Sequence, residues 1–220
     1  MENEMKKPIV ALLLFLAFAG CKSGVDKKVL PIYGERKAVT RIVNGQSTTD
    51  TLYQTIPPIN YINQYGDSVN DKNIAGNIYV ADFFFTTCPS ICPVMARNML
   101  NVYSTFKSAG DVKILSYTID PKHDSVPVLK KYADKLGVTG NTWWFLQGHK
   151  DQTYQLARSY LVKVEEKNPA GEYVHDGYFI LIDKQKRIRG SYLGTNPEEV
   201  TKLIEDIKVL KAETDSTSKK

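Results

Sequence analysis

The sequence predicts an α/β fold, in which a central mixed β-sheet is flanked by helices on both faces. Two observations support this prediction. Along residues 78–136, apolar runs typical of buried strands alternate with helical patterns, which is the order of parallel strands joined by helical crossovers. Along residues 178–210, two apolar runs flank a short charged turn and a helix follows, which adds a β-hairpin to the sheet.

Local periodicity predicts the individual elements. Residues 78–85 and 112–119 are nearly continuous apolar runs, rich in β-branched and aromatic residues, as expected for strands buried on both faces. The helix between them ends at Gly110, and its apolar stripe comprises Met95, Met99, Val102, Tyr103 and Phe106. Helices are also predicted at 124–136, 151–160 and 197–210, and strands at 142–146, 178–183 and 188–193. This order of elements is thioredoxin-like.

The N-terminus has the pattern of a lipoprotein signal peptide. Lys6 and Lys7 precede an apolar run over residues 9–20, which is too short to span a bilayer comfortably and matches the hydrophobic core of an export signal. Ala19 and Gly20 are small and directly precede Cys21, whose sulfur can carry diacylglycerol. We therefore expect residues 1–20 to be removed and Cys21 to be lipidated.

Composition divides the rest of the chain into three parts. Residues 21–51 are polar with little apolar periodicity, and we expect them to form the lipidated N-terminus and a tether. Residues 52–211 are expected to form the folded domain, and residues 212–220 a disordered tail. The net charge is +5, but basic and acidic residues are interleaved rather than gathered into a basic stripe. Nucleic acid is therefore not an expected partner.

Two cysteines lie at the first predicted strand-to-helix junction. Cys88 and Cys92 are separated by three residues, so on a helix their side chains would stack one turn apart, within reach of one ion. A helix start favours the thiolate form of Cys88, and thiolates are soft donors that suit Cu(I). If Cys21 is lipidated, these are the remaining thiols, and in an oxidising envelope such a pair is a disulfide, a redox couple or a metal site.

A copper site on two thiolates requires a third donor, and the chain has three histidines. His123 lies in a polar loop and His149 in a turn, whereas His175 directly precedes the predicted strand at 178–183. In a thioredoxin-like fold, the segment entering that strand packs against the end of the cysteine-bearing helix. Geometry therefore favours His175. Met95 and Met99 are also soft donors, but their spacing matches the apolar stripe and indicates core packing.

Three motifs in order resemble those of the Sco/SenC family. They are Phe-Phe-Phe-Thr-Thr-Cys-Pro-Ser-Ile-Cys-Pro at 83–93, Ser-Tyr-Thr-Ile-Asp-Pro-Lys-His-Asp at 116–124, and Val-His at 174–175 with Leu-Ile-Asp at 181–183. The resemblance implies that Cys88, Cys92 and His175 bind copper, and that Asp120 and Asp124 shape the loop beside the site. Lys186 stands at a position where a turn glycine is common in the family.

The resemblance implies a copper metallochaperone that helps to assemble the binuclear copper centre of cytochrome c oxidase. Its partners would be the copper-bearing oxidase subunit, other copper chaperones or thiol reductases, and the membrane that holds the lipid anchor. Two alternatives remain: a thiol–disulfide oxidoreductase acting on the copper-ligand cysteines of the oxidase through a Cys88–Cys92 disulfide, and a copper or redox sensor. In each case the domain would face the periplasm or the cell exterior.

Overall fold

The computed structural model describes residues 28–165 and 174–217, with side chains described for 28–165 and 176–213. The strands are β1 (Arg36–Val43), β2 (Gln46–Tyr53), β3 (Asn60–Ile62), β4 (Ser68–Asn70), β5 (Ile78–Phe84), β6 (Val112–Thr118), β7 (Trp143–Leu146), β8 (Val164–Glu165), β9 (Val174–His175), β10 (Tyr178–Ile182) and β11 (Ile188–Leu193). The helices are α1 (Asp71–Ile74), α2 (Ile91–Phe106), α3 (Val126–Lys135), α4 (Lys150–Ser159) and α5 (Pro197–Thr217).

A five-stranded mixed sheet forms the centre of the domain, in the order β11-β10-β5-β6-β7. β5, β6 and β7 are parallel, whereas β10 is antiparallel to both β5 and β11. Every residue of β5 is buried, as its continuous apolar pattern predicts for a central strand covered on both faces. The predicted α/β, thioredoxin-like fold with a central mixed sheet is confirmed.

Helices cover both faces of this sheet. On one face, α2 packs against α5, and Tyr132 of α3 contacts the ring of Phe84 in β5. On the opposite face, Tyr160 at the end of α4 contacts Phe83 of β5 and Tyr117 of β6. The connections β5-α2-β6 and β6-α3-β7 therefore place two consecutive helices on the cysteine-bearing face, and the longer return through α4 covers the other.

The predicted tether contains a regular element. Residues 36–53 form the antiparallel hairpin β1–β2, and nearly all of their side chains are exposed. Asn44 and Gly45 have φ values of 52° and 78°, as required at the centre of a tight hairpin turn. The sequence analysis did not identify this hairpin within the expected tether, because an Asn-Gly turn can join two strands that have no buried apolar face.

Both ends of the predicted domain extend further than composition indicated. Leu30 is buried, its N–H donates to Glu213, and Lys28 forms an ion pair with Asp206 of α5. The same Glu213 also pairs with buried Arg189, so the C-terminal turns of α5 are held against the domain. The backbone of residues 212–217 is therefore helical, which corrects the expected disordered tail over that stretch.

Three small features were absent from the sequence prediction. They are the β3–β4 hairpin, the short α1, and the β8–β9 pair. Trp143 and Trp144 are both buried, although the alternation of side chains along a strand would expose one of the two rings. Among the described residues, no helix is both long enough and apolar enough to cross a membrane.

Candidate metal centre

The two cysteines lie at the junction of β5 and α2, but only one of them belongs to the helix. Cys88 follows a turn in which its N–H donates to the carbonyl of Phe85 at 3.2 Å. α2 begins at Ile91 with Ser90 as N-cap, so Cys92 occupies its first turn while Cys88 precedes it. The four-residue spacing predicts that the two sulfurs stack on one face of a continuous helix. They do not, because Cys88 precedes the helix.

The Cys88 sulfur lies where a helix N-cap side chain would accept hydrogen bonds. Its hydrogen-bond partners are the backbones of Cys92 and Ser90 and the side chains of both residues, with the Ser90 hydroxyl at 3.7 Å. The Ser90 side chain itself makes no capping bond to the helix. Burial raises the pKa of Cys88, but these hydrogen bonds outweigh it and hold the pKa below its ordinary value.

Cys92 lies deeper and has the opposite tendency. Its side chain is 3% exposed, against 7% for Cys88. Burial raises the pKa of Cys92 well above its ordinary value, and the neighbouring Cys88 sulfur and the Asp82 carboxyl raise it further. Both cysteines are free thiols, so the structure represents the reduced pair.

Asp82 is a buried carboxyl beneath the cysteines that sequence analysis did not identify. It lies on β5, and together with Cys92 and Ser116 it lines a small cavity of about 10 Å³. Burial raises the pKa of Asp82 to about 7, against the effect of a 2.5 Å hydrogen bond donated by Ser116. A lone acidic residue within the apolar run at 78–85 was the available signal, since such a residue cannot be solvated there.

Asp124 fixes the loop after β6 against the turn that carries Cys88. Its buried carboxylate accepts the N–H of Thr86 at 3.1 Å, the Thr86 hydroxyl, and the Thr118 hydroxyl at 2.5 Å. Asp120 contributes through its backbone carbonyl, which accepts the N–H groups of His123 and Asp124. These contacts connect the second motif to the cysteine turn, which is where the sequence analysis expects both aspartates to act.

The backbone of His175 lies in β9, paired with Val164 of β8, and its side chain lies outside the described residues. Gly177, two residues later, is close to the start of α2: a Cβ at this glycine would lie 3.4 Å from Ile91 Cδ1 and 3.6 Å from Met95 Sδ. The segment entering β10 therefore packs against the first turns of the cysteine-bearing helix.

The other two histidines lie elsewhere on the fold. His123 is exposed in the loop after β6, and His149 is exposed at the N-cap of α4. His149 lines a cavity with Lys122 and Gln152. That cavity has no lining residue in common with the one that contains the two cysteines. Met95 and Met99 are buried in the core, as predicted.

The arrangement offers two adjacent sulfur donors to a soft metal ion. Within the side chains that the structure describes, no group of three His, Cys, Asp or Glu residues could hold a metal ion. The sulfurs alone thus favour Cu(I), which accepts low coordination by thiolates, and a nitrogen from the β9–β10 segment would complete a third position. Cys21, the predicted lipidation residue, lies outside the described residues.

A groove opens beside the sulfurs, between α2 and α3. Its volume is about 350 Å³, and both Cys88 and Cys92 contribute to its wall. Tyr132 lines both this groove and the small cavity at Asp82. A molecule in the groove would lie beside Cys88 and Cys92, which form part of its wall.

Known proteins resemble this chain in sequence and in fold. The SCO1 protein homolog of Bacillus subtilis is 30% identical over 167 residues, which cover 74% of this chain and 86% of that protein. The crystal structure of a SCO1/SenC family lipoprotein from Bacillus anthracis has a TM-score of 0.66 and 28% identity, covering 71% of this chain and 95% of that one. BsSco, a Sco-family cytochrome c oxidase assembly protein with an identified disulfide switch, has a TM-score of 0.61 and 30% identity, covering 71% and 92%. The SCO1/SenC family model matches residues 47–211, and the chain belongs to this family.

Proposed function

We propose that this protein is a copper-binding metallochaperone that assists assembly of the binuclear copper centre of cytochrome c oxidase. The observation that carries the proposal is the pair of adjacent, reduced sulfurs at the start of α2, one of which is stabilised as a thiolate by hydrogen bonds. Two adjacent cysteine sulfurs, which lose their protons on metal binding, form a site for a soft ion. The family to which the protein belongs, and the resemblance of its motifs to the Sco/SenC copper site, support copper as the cargo.

The ligands in this proposal are Cys88, Cys92 and His175. The closeness of Gly177 to Ile91 and Met95 supports the third ligand, because the β9–β10 segment lies beside the first turns of α2. Asp124 positions the turn that carries Cys88 through its bonds to Thr86. Lipidation of Cys21 would hold the domain at the membrane where the oxidase is assembled.

Copper titration of the reduced protein tests the ligand set. We expect one copper ion per chain, no binding after oxidation of the cysteine pair to a disulfide, and weaker binding on acidification, because both sulfurs must lose their protons. Cys88→Ser or Cys92→Ser should cause the largest loss of Cu(I) affinity, because each removes a sulfur donor. His175→Ala should weaken Cu(I) binding moderately and Cu(II) binding more strongly, since Cu(II) favours nitrogen-containing sites.

His123→Ala and His149→Ala are the matched controls, because both residues are exposed and neither lines the groove that contains the two sulfurs. Each should bind copper like the parent. If either control lost as much affinity as His175→Ala, or if His175→Ala bound both oxidation states like the parent, the ligand assignment would be wrong.

The second candidate function is thiol–disulfide exchange with the copper-ligand cysteines of the oxidase. The unequal cysteines favour it, because a thiolate at Cys88 can attack a partner disulfide while Cys92 holds its proton until it resolves the mixed disulfide. Reduction of the oxidase cysteines by a protein that fails to bind copper would select this function over copper delivery.

A further inference from the structure

The groove beside the cysteines has a wall that the proposed copper ligands do not explain. Ala96 of α2, Leu136 after α3 and Phe85 contribute apolar side chains to its lining. Its volume of about 350 Å³ is within the range of sites that hold small ligands or a few side chains. The groove is continuous with the metal centre, because Cys88 and Cys92 form part of the same wall.

The charged side chains that line this groove are both positive. Arg97 of α2 and Lys135 of α3 both line it, and both side chains are exposed. Neither cation forms an ion pair with another residue of the described chain. Among the described residues, no aspartate or glutamate lines the groove to neutralise them. A nearby cation pair without a counter-charge is complementary to a carboxylate from another molecule.

We propose that this groove docks an acidic segment of the protein that exchanges copper with the site, with a carboxylate between Arg97 and Lys135 and a metal-ligating cysteine beside Cys88. The proposal rests on the proposed function for the role of the partner, but the docking itself requires no metal. A second copy of this chain is a poor occupant, since each copy carries a net charge of +5. The two cations would steer the partner and fix its register rather than supply most of the affinity.

The test measures how fast Cys88 reacts with short peptides that differ only in charge. The full chain with Cys21→Ser and Cys92→Ser keeps Cys88 as its sole thiol. Each probe is a synthetic peptide with one cysteine, joined by a disulfide to thionitrobenzoate, and flanked by leucine and either glutamates or lysines. The Cys88 thiolate attacks the peptide sulfur, the mixed disulfide forms, and thionitrobenzoate leaves with the bonding electron pair. Reaction of each peptide with 2-mercaptoethanol corrects for its intrinsic reactivity.

The acidic peptide should react about tenfold faster than the basic one at low salt, and the difference should shrink as salt screens the charges. Arg97→Glu with Lys135→Glu should reverse the order. The matched control is Lys107→Glu with Lys131→Glu, which makes the same charge change on exposed residues at α2 and α3 that do not line the groove. Alkylation by neutral iodoacetamide reports the intrinsic reactivity of Cys88 in every variant.

Equal corrected rates for the two peptides, or a control variant that reverses the order as fully as the groove variant, would overturn the docking site. Concentration-dependent dimerisation that Arg97→Glu abolishes would assign the groove to a second copy and would overturn it as well. The assay contains no copper, so a failed copper titration would reject the proposed function while leaving this result in place.

Discussion

Asp82 should make the stability of the domain depend on pH in a way that one substitution removes. Its carboxyl is buried on β5, where burial raises its pKa to about 7 from an ordinary value of 3.8. Below about pH 4 the carboxyl is protonated in both the folded and unfolded states, so its full contribution to stability is present. As pH rises towards 7, the unfolded chain releases the proton while the folded protein retains it, and stability falls.

The size of the effect follows from the difference in pKa. A shift of about three units corresponds to about 4 kcal/mol of unfolding free energy, lost between about pH 4 and pH 7 and then constant. Asp82→Asn has no proton to release, and its side-chain oxygen can still accept the hydrogen bond from Ser116. The variant should therefore lack this part of the pH dependence.

Denaturant unfolding at a series of pH values measures the effect, for the reduced parent and for Asp82→Asn. Both proteins carry Cys88→Ser, so that thiolate formation at that residue does not contribute. Subtracting the two curves isolates Asp82 from the other carboxyls. Ser116→Ala is the companion variant: it removes the hydrogen bond that lowers the pKa of Asp82, so the midpoint of the fall should move to higher pH. Parallel curves for the parent and Asp82→Asn would show that Asp82 has the same pKa in the folded and unfolded states, which would refute the effect of burial.

Two further predictions concern the anchor and the redox chemistry. Cys21→Ser should release the protein from the membrane fraction, because it removes the sulfur that would carry the lipid; mass spectrometry of membrane-bound parent protein showing an unmodified Cys21 would contradict the anchor. The reduced protein should reduce insulin slowly, because three residues separate its cysteines and residues 175–177 before β10 contain no proline; a rate comparable with thioredoxin would favour the oxidoreductase function.

The central sheet was predictable because its strands have strong local signals. β11 is predicted at 188–193 and observed at Ile188–Leu193, and the turn before it contains Lys186 with a φ of 63°, where a glycine is common in the family. The β8–β9 pair was not predictable, since two-residue strands contain no periodicity. Its existence depends on how the chain returns to β10, which local sequence does not specify.

The ends of the domain were missed for a different reason. Residues 28–30 lie within the largely polar stretch at 21–51, and residues 212–217 are small or polar; such segments are usually solvated. In the structure, Glu213 joins them to the core by accepting the N–H of Leu30 and pairing with buried Arg189. Such a contact links residues that are far apart in sequence, so no window of sequence contains both partners.

The same limit applies around the metal centre. Cys88 and Cys92 could be placed together because they are close in the chain, and Asp124 could be placed beside them only through the family resemblance. The cations of the groove gave no signal at all, because Arg97 and Lys135 resemble any solvated residue until α2 and α3 pack side by side. Residues on different elements acquire a shared role from packing.

The two sulfurs are unequal because a helix starts between them. Cys88 precedes the N-cap of α2, so its sulfur accepts N–H groups that every helix leaves unpaired at its start. Cys92 lies inside the first turn and lines the cavity at Asp82, where burial and a neighbouring carboxyl disfavour negative charge. Cys88 therefore has the lower pKa of the pair, whereas Cys92 retains its proton more strongly until an incoming copper ion displaces it. The four-residue spacing makes the sulfurs neighbours, but the position of the helix start decides which of them loses its proton more readily.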